Sequence, residues 1–548
     1  MMAKVDLHCH SLYSEHPSEW FLQRIGAGES YTEPEFIFKK QLEKGMDFVT
    51  ITDHNKIDGV IKLKEKYPEK VITGVESTAY FPEDGCKIHI LIYGLNKKQF
   101  EIIQEKRTNI YELRDYLIEE NLAHSVAHAT YSVNGKLTLD HLKKLILLFN
   151  VFESINGGRN EINNDSWFSI LNMLTPRKIE KLKKHYNIEP VGDNPWIKGF
   201  TGGSDDHAGL FLGESYTESQ AGYIDEFLED IKKRKTTGTG RHNDFLSLAF
   251  TIYKIAMDFS KTKSEKISKT LFSQISEYIF NNKNLSWTYR LKLRQSNKKI
   301  KKKKSDYQLK NAFSDLLYNL KSKKDLELKE KLEISYDKIA DITDTFFSVV
   351  FNTISKDLSH GNIVKMIRNI SSSIPGIFLT APFFSTIYHM NKNRNLLNQA
   401  KNYFECKPKR KHKRILWFSD TYRDLNGVSA TLQKIHEYAS TNKYSLSLVS
   451  YDSNVNHDTD NYMNLPIIHE FKLPYYEQLS IKIPSLLHSI KKIYDYQPDE
   501  IVLSTPGPIG IVGLIASKLM NIKSKGIYHT DFTAQVSEIK SDPSLIKL

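Results

Sequence analysis

Two histidines near the start of the chain have the spacing of a metal-binding pair. They belong to the stretch Asp6-Leu7-His8-Cys9-His10, which alternates apolar and polar side chains as a strand does. Because side chains on a strand alternate between its two faces, His8 and His10 leave the same face and can bind one metal ion. The pair alone is a weak indication, since histidines on strands are also ordinary buried polar groups. The residues that follow decide between these interpretations.

Acidic and imidazole side chains recur at or near the ends of the predicted strands in the first third of the chain. These strands are mostly separated by helical stretches, a pattern that predicts a parallel α/β architecture with function at the carboxyl ends of the strands. Core histidines would not recur in this way. The predicted strands are 47–54 with His54, 71–76 with Glu76, 87–93 with His89, 124–128 with His124 and His128, 151–156 with Glu153, and 199–207 with Asp205 and His207.

This pattern over residues 1–240 resembles the PHP (polymerase and histidinol phosphatase) domain. The resemblance implies a distorted (β/α)7 barrel that binds up to three divalent metal ions through nine ligands. The chain departs from the family at Ala129, where proline usually follows the histidine, and at Asp206, where alanine is common. The roles of Asp206 and His124 stay open. Matched motif by motif, the implied ligands are His8, His10, His16, His54, Glu76, His89, His128, Asp205 and His207.

The chemistry of this residue set is metal-assisted hydrolysis. Mixed imidazole and carboxylate ligands suit zinc, manganese or iron without selecting one of them. Clustered divalent ions neutralise phosphate oxygens and lower the pKa of a bound water, which predicts hydrolysis of a phosphate ester such as a nucleotide or sugar phosphate. Asp205 and His207 are therefore expected in the catalytic centre. Asp6 and Asp53 are expected to orient ligand histidines, with turn capping as the alternative.

Arg159 is the candidate for binding the substrate phosphate. It lies in the turn Asn156-Gly-Gly-Arg-Asn160, and a guanidinium group can make two hydrogen bonds to one phosphate. The alternative is a solvated arginine in a glycine turn.

Composition limits the remaining possibilities. The length of 548 residues allows about three domains. The cysteines at positions 9, 86 and 406 have no CxxC spacing, and neither an apolar signal region nor a run of 18 apolar residues is visible, so we expect a cytoplasmic protein. The net charge of +12 is concentrated in the lysine-rich runs 298–304 and 407–413. These runs favour solvated faces over nucleic-acid binding, with peripheral contact to an anionic membrane as the alternative.

The rest of the chain differs in character. Residues 241–412 have long helical periodicities and predict a helical linker or bundle. Residues 413–548 resemble the Rossmann-like N-terminal half of a group 4 GT-B glycosyltransferase. In that resemblance Asn426 and Gly427 approach a sugar-nucleotide phosphate, while the segment with His529 and Asp531 faces the acceptor. The second nucleotide-sugar-binding half of such enzymes is not in the sequence, so transfer would require a partner domain.

Three functional hypotheses stay open at this point. The first is a phosphoesterase with a small phosphorylated substrate, fused to a glycosyltransferase-like half. The second is a glycosyltransferase that works with a separate nucleotide-sugar-binding half and is regulated by the barrel. The third is a non-catalytic scaffold that metal ions stabilise.

Overall fold

The computed structural model of the chain describes residues 2–17, 20–263, 326–359, 374–407, 410, 412–422, 424, 427–453, 458–459, 461–473 and 476–527. The chain divides into two units. Unit 1 comprises Met1–Tyr289, Lys324–Leu332 and Pro382–Lys407, and unit 2 comprises Arg290–Lys323, Glu333–Ala381 and Pro408–Leu548. The unit that contains the predicted barrel thus extends past residue 240.

A six-stranded sheet with the order β2-β3-β4-β5-β6-β7 forms the centre of unit 1. The pairs β2–β3, β5–β6 and β6–β7 are parallel, whereas β4 runs antiparallel to β3 and to β5. The prediction of a parallel sheet is wrong at β4, because only the turn 81–86 joins β3 to β4 and a parallel pair needs a long crossover. The strands are β2 (Val49–Ile51), β3 (Val71–Tyr80), β4 (Lys87–Tyr93), β5 (Ala123–Val126), β6 (Val151–Asn156) and β7 (Gly199–Gly203).

The segment that follows β1 (Ala3–Val5) closes this sheet into a barrel. On one side, Thr52 N donates a hydrogen bond to Cys9 O at 2.9 Å, just beyond the end of β2. On the other side, His10 N donates to Asp206 O at 3.0 Å, just beyond the end of β7. The segment therefore lies between the two edge strands, and the result agrees with the distorted barrel that the sequence predicts.

Helices and a smaller sheet surround the barrel. The strands β1, β8 (Ser215–Ser219) and β9 (Thr237–Gly240) form a three-stranded antiparallel sheet that contacts β6 and β7. The barrel core is apolar, and Ile90, Leu145 and Phe152 within it are fully buried. The helices are α1 (Trp20–Ile25), α2 (Pro34–Glu43), α3 (Asp58–Lys66), α4 (Lys97–Lys106), α5 (Ile110–Glu119), α6 (Leu139–Leu148), α7 (Glu161–Asn172), α8 (Pro176–Tyr186) and α9 (Ile224–Lys232).

The described parts of the middle region are mainly helical, as the periodicity predicts. In unit 1, Thr386 Oγ1 donates to Phe245 O at 3.0 Å and Phe383 packs against Phe250 and Tyr253, so part of this region is docked beside the barrel. Among the described residues, no helix combines the length and apolar character needed to cross a membrane. The helices are α10 (Phe245–Lys263), α11 (Leu328–Ser359), α12 (Ile374–Asn391) and α13 (Arg394–Tyr403).

Unit 2 contains a five-stranded parallel sheet with the order β12-β11-β10-β15-β16 and a separate hairpin, β13-β14. Counting only the five strands of the larger sheet, the order is 3-2-1-4-5, which is that of a doubly wound α/β fold. The strands are β10 (Ile415–Phe418), β11 (Leu446–Ser450), β12 (Tyr462–Asn464), β13 (Ile467–Leu473), β14 (Tyr476–Pro484), β15 (Glu500–Leu503) and β16 (Lys523–Gly526). The helices are α14 (Gly427–Thr441), α15 (Leu486–Tyr496) and α16 (Pro508–Leu519).

Candidate metal centre

Most of the predicted ligand side chains converge at one end of the barrel in unit 1. Four groups of three residues have ligand atoms that all lie within 4.8 Å of one another. Because the groups share members, they form one continuous cluster, called here the metal-site cluster. The groups are His10, His54 and His207; His8, His10 and Glu76; His8, His128 and Asp205; and His54, Glu76 and His89.

Strand direction explains how residues so far apart in sequence meet. His54, Asp205 and His207 follow the carboxyl ends of β2 and β7, which lie at the same edge of the sheet. His89 lies near the start of β4, but β4 runs in the opposite direction. Its start therefore lies at that edge too, where His89 pairs with Thr78 near the end of β3.

Glu76 is the central carboxylate of the metal-site cluster. It is fully buried. Burial alone would raise the pKa of this carboxyl, but His54 and His89 beside it hold its pKa well below the usual range. An ionised carboxylate among so many imidazoles is suited to contact more than one metal ion. Its two oxygens lie 2.7–3.3 Å from ring nitrogens of His8, His10, His54, His89 and His128.

The unpaired atoms of this cluster fit bound cations. Within the described residues, His8 Nε2, His10 Nε2, Glu76 Oε2 and His207 Nε2 are buried and make no hydrogen bond. His8 Nε2 and His10 Nε2 lie 3.2 Å and 3.3 Å from Glu76 Oε2, but not in hydrogen-bond geometry. Buried polar atoms without a partner are costly, and these converge on common points. Imidazole and carboxylate donors in this arrangement fit divalent transition metals.

Two of the predicted ligands have strained backbone conformations. The φ angle of His128 is 25° and that of Asp205 is 50°, both in the left-handed region that few residues other than glycine adopt. Each is held by a hydrogen bond from its own N–H group: His128 N donates to Glu153 Oε2 at 2.8 Å, and Asp205 N donates to His8 O at 2.6 Å. Strain that the surroundings enforce in this way is typical of functional sites.

Glu29 lies beside the metal-site cluster although the sequence pattern did not single it out. Its side chain is buried, with Oε2 3.2 Å from His54 Nε2 and Oε1 3.6 Å from His207 Nε2. Burial would raise the pKa of this carboxyl, but His54 and His207 lower it to about 2. The loop between α1 and α2 that carries Glu29 has no periodicity that could have signalled this position.

His16 does not reach the cluster. Its side chain is exposed, and it belongs to none of the ligand groups that the described residues form. It lies in the polar loop beyond His10, which turns the imidazole toward solvent. Of the two loop residues, Glu29 rather than His16 therefore lies beside His54 and His207.

Glu153 is a second carboxylate whose role the sequence did not reveal. Glu153 Oε1 lies 3.0 Å from His8 Nδ1, while Oε2 also accepts a hydrogen bond from Asn156 Nδ2 at 2.7 Å. A carboxylate bound to the outer nitrogen of a ligand histidine fixes its tautomer and ring orientation. Glu153 therefore directs His8 Nε2 toward Glu76 and Asp205.

Asp53 orients a predicted ligand through an intermediate hydroxyl group. Its carboxylate accepts hydrogen bonds from Ser11 N at 2.7 Å and from Ser14 Oγ at 3.1 Å. Ser14 Oγ in turn lies 3.1 Å from His10 Nδ1. The arrangement fits the orienting role that the sequence suggests.

Asp6 ties together the backbone beneath the cluster. Its carboxylate accepts hydrogen bonds from Ser204 N at 2.8 Å, Gly213 N at 2.9 Å and His8 N at 3.3 Å. Burial raises the pKa of Asp6 to about 6, against the effect of these hydrogen bonds. The contacts fit the capping alternative better than direct orientation of an imidazole ring.

Asp206 has a similar supporting role. Its carboxylate accepts hydrogen bonds from four successive N–H groups, those of Ala208, Gly209, Leu210 and Phe211. It thereby orders the loop that follows His207. His124, the other residue left open, has its Nδ1 atom 2.7 Å from Leu122 O and packs against Phe149.

A cavity of about 80 Å³ lies beside the metal-site cluster in unit 1. This is several times the volume that one buried water requires. Glu76, His89 and Asp205 contribute to its lining, and so does Arg159. The Arg159 side chain is only 11% exposed and its Nη2 atom lies 3.9 Å from Asp205 Oδ2, so the alternative of a solvated arginine does not hold.

Most of the unit 2 residues that the resemblance to a glycosyltransferase singles out are not described by the structure. Asn426, His529 and Asp531 lie outside the described residues. Gly427 begins α14 and is exposed.

The turn before α16 in unit 2 is occupied by a carboxylate of the chain itself. Asp420 Oδ1 accepts a hydrogen bond from Ile509 N at 2.8 Å, and Oδ2 accepts from Gly510 N at 3.2 Å. These are the N–H groups at the helix N-terminus that would otherwise attract a phosphate. Asp420 therefore competes with any phosphate at this turn.

Comparisons with known proteins add little beyond this geometry. No protein family model matches the chain. An uncharacterized protein of Methanocaldococcus jannaschii is 38% identical over 76 residues, which are 13% of this chain and 43% of that relative. The chain thus matches less than half the length of this curated relative.

Two solved structures align with a little under half of the chain. One, from Bifidobacterium adolescentis and titled "putative metal-dependent phosphoesterase", covers 44% of this chain and 98% of its own, with 13% identity and a TM-score of 0.24. The other, an amidohydrolase from Chromobacterium violaceum, covers 42% of this chain and 97% of its own, with 12% identity and a TM-score of 0.27. Scores this low leave the functional argument to the geometry of the site.

Proposed function

We propose that unit 1 is a metal-dependent phosphoesterase that hydrolyses a small phosphate ester. The observation that carries this proposal is the metal-site cluster, in which four overlapping groups of three ligands meet around Glu76. A single structural metal ion would need only one closed group of ligands, whereas overlapping groups suit two or three neighbouring ions. The donor types fit zinc, manganese or iron.

The residues that would hold the ions are those of the four groups, together with Glu29. Glu29 is included because it contacts two of the histidines that the sequence assigns as ligands, His54 and His207. When bound, divalent ions would neutralise phosphate charge and lower the pKa of a water molecule.

The remaining residues prepare the site for a phosphate ester. Glu153 and the Asp53–Ser14 pair fix the orientation of His8 and His10, so that their donor atoms need no rearrangement. Arg159 lies at the cavity wall and carries a permanent positive charge close to Asp205, where it would bind a phosphate oxygen.

Glycosyl transfer has weaker support. The doubly wound order of the sheet in unit 2 agrees with a Rossmann-like fold, but a fold alone does not imply a reaction. At the turn before α16, Asp420 already accepts the hydrogen bond from Ile509 N that a phosphate would need. A nucleotide-sugar-binding partner, a peripheral membrane contact and a cytoplasmic location stay predictions.

The test combines metal analysis with turnover. We expect the purified full chain to bind two or three divalent ions and to hydrolyse phosphomonoesters in a chelator-sensitive manner. Glu76→Gln should lose both properties, while Asp140→Asn on the surface of α6 should keep them. Full metal loading with no turnover of any phosphoester would overturn the proposal in favour of a structural metal centre. Absence of bound metal would overturn both the phosphoesterase proposal and the structural metal centre.

A further inference from the structure

Two helices that follow the barrel in sequence contribute to the wall of its cavity. Leu248, Ile252 and Ile255 come from α10, and His389 comes from the C-terminal part of α12. None of these residues belongs to the strand-and-helix pattern that carries the predicted ligands. The cavity is therefore completed by segments outside the region that resembles a known family.

His389 contacts the candidate phosphate-binding arginine directly. Arg159 Nη1 lies 2.7 Å from His389 Nε2, although 230 residues separate them in sequence. Because a guanidinium group has only donors, His389 Nε2 must be the acceptor of this hydrogen bond. The imidazole is thus a neutral group that holds the arginine in place without cancelling its charge.

The same arginine is held from a second side by stacking. The Arg159 guanidinium lies 3.6 Å from the centroid of the Tyr131 ring, and Lys392 Nζ lies 4.0 Å from that centroid. Two cations therefore share one aromatic ring beside the metal-site cluster. Arg159 Nε is buried and makes no hydrogen bond among the described residues.

The backbone of α12 is fixed at this point. Asn160 Nδ2 and Asn163 Nδ2 donate hydrogen bonds to Met390 O at 3.3 Å and 3.0 Å. Asn160 directly follows Arg159 in the chain, and Asn163 lies in the first turn of α7. The helix and the arginine are therefore positioned by the same short stretch.

The part of the cavity lining that α1 and α10 supply is mainly apolar. Leu22 and Ile252 are almost fully buried, and Leu248 is half-buried. Such a surface offers few hydrogen bonds to the hydroxyl groups of a sugar, and burying unpaired hydroxyls is unfavourable. It is favourable for an apolar or aromatic group.

We infer that His389 of α12 holds Arg159 in the orientation that binds the substrate's phosphate; this pair is called here the phosphate clamp. We infer also that the apolar side chains of α10 select a phosphomonoester with an apolar or aromatic organic part. This inference rests on the proposed function, and it narrows the substrate class from small phosphoesters in general. The ester's phosphate would face the metal-site cluster and Arg159, and its organic part would contact α10. His389 is a positioning residue, since it acts through the arginine.

The clamp is tested by the affinity of the metal-loaded full chain for phosphate. His389→Ala should raise KM for phenyl phosphate and weaken competitive inhibition by inorganic phosphate by about tenfold, because the arginine loses a fixed orientation. The effect on kcat should be smaller. His389→Gln keeps an acceptor and should recover most of the affinity, and His185→Ala, an exposed histidine of α8, should change nothing. Unchanged KM and inhibition in His389→Ala would overturn the clamp.

The substrate class is tested with a pair of monoesters. The wild-type chain should hydrolyse phenyl phosphate with a kcat/KM at least about tenfold higher than that for glucose 6-phosphate. Leu248→Asn should reduce this ratio while metal content stays unchanged. Equal rates for the two esters, or a preference for the sugar phosphate, would overturn the selection by α10.

Failure of the proposed function can be told apart from failure of this inference. If the wild-type chain binds metal but hydrolyses no ester, the phosphoesterase proposal fails. Titration calorimetry with inorganic phosphate then still tests the clamp, since His389→Ala should weaken phosphate binding and His389→Gln should not. If the wild-type chain, His389→Ala and His389→Gln all bind phosphate with the same affinity, the phosphate clamp fails independently of the phosphoesterase proposal.

Discussion

Glu29 Oε2 lies 3.2 Å from His54 Nε2, while His16, the loop residue that the family resemblance favours, is exposed to solvent. We therefore expect opposite effects on metal binding when each of the two residues is substituted. Glu29→Gln should lower the affinity for one metal ion by at least about tenfold, because an amide is a weaker ligand than a carboxylate. Elemental analysis after dialysis against a graded series of chelator concentrations measures this loss.

The control for Glu29 is His16→Ala in the same dialysis series. Since the His16 side chain lies outside the ligand groups of the described residues, its removal should leave the metal content unchanged. Loss of metal in His16→Ala together with full retention in Glu29→Gln would restore the assignment that the resemblance gives.

Glu153 should matter for metal affinity without being a ligand. Glu153→Gln replaces the carboxylate that holds His8 Nδ1 at 3.0 Å, so His8 loses its fixed tautomer. Metal affinity should fall about 10- to 100-fold, as is typical when a carboxylate behind a ligand histidine is removed. Competition with a chromogenic chelator measures the change. A loss equal to that of His8→Ala would instead mean that Glu153 binds metal directly.

The ligands on or beside barrel strands could be predicted because each follows or lies within an apolar run. His8, His54 and Asp205 are of this kind, and the structure brings them together. The antiparallel direction of β4 could not be predicted from apolar periodicity, because periodicity does not encode the direction of a strand. Only the shortness of the 81–86 turn indicates that β3 and β4 are antiparallel. His89 was still found, because it lies within a recognisable strand.

The residues that sequence reasoning missed are positioned by tertiary contacts. Glu29 lies in an irregular loop whose neighbour Ser30 donates a hydrogen bond from Oγ to His10 O at 3.3 Å. His389 lies on a helix whose sequence has no recognisable chemical motif, and only the packing of residues 382–391 within unit 1 brings it to Arg159. Neither relationship leaves a periodic signal along the chain.

Lys198 provides a test of the barrel's stability that is independent of metal. This buried lysine donates to Ile146 O at 2.7 Å, Phe149 O at 2.8 Å and Asn150 Oδ1 at 2.9 Å, and so binds carbonyls at the end of α6. Lys198→Met removes all three donors and should lower the free energy of unfolding by about 3 kcal/mol.

Urea-induced unfolding at neutral pH measures this change. Lys181→Met, an exposed lysine on α8, is the matched control and should stay within about 0.5 kcal/mol of the wild type. A Lys198→Met variant as stable as the control would show that the apolar replacement offsets the three lost hydrogen bonds.

His124 should make the stability of unit 1 depend on pH. Burial lowers the pKa of His124 below its ordinary value, and the contact with Leu122 O only partly opposes this effect. The unfolded chain therefore takes up a proton near pH 6.5 that the folded chain does not, so the free energy of unfolding should fall as pH drops below about 6.5. The glutamine of His124→Gln does not titrate, so the free energy of unfolding of this variant should fall less steeply over the same pH range.

Urea unfolding of both proteins between pH 5 and pH 8 measures the difference in slope. Parallel slopes for His124→Gln and the wild type would contradict the assignment.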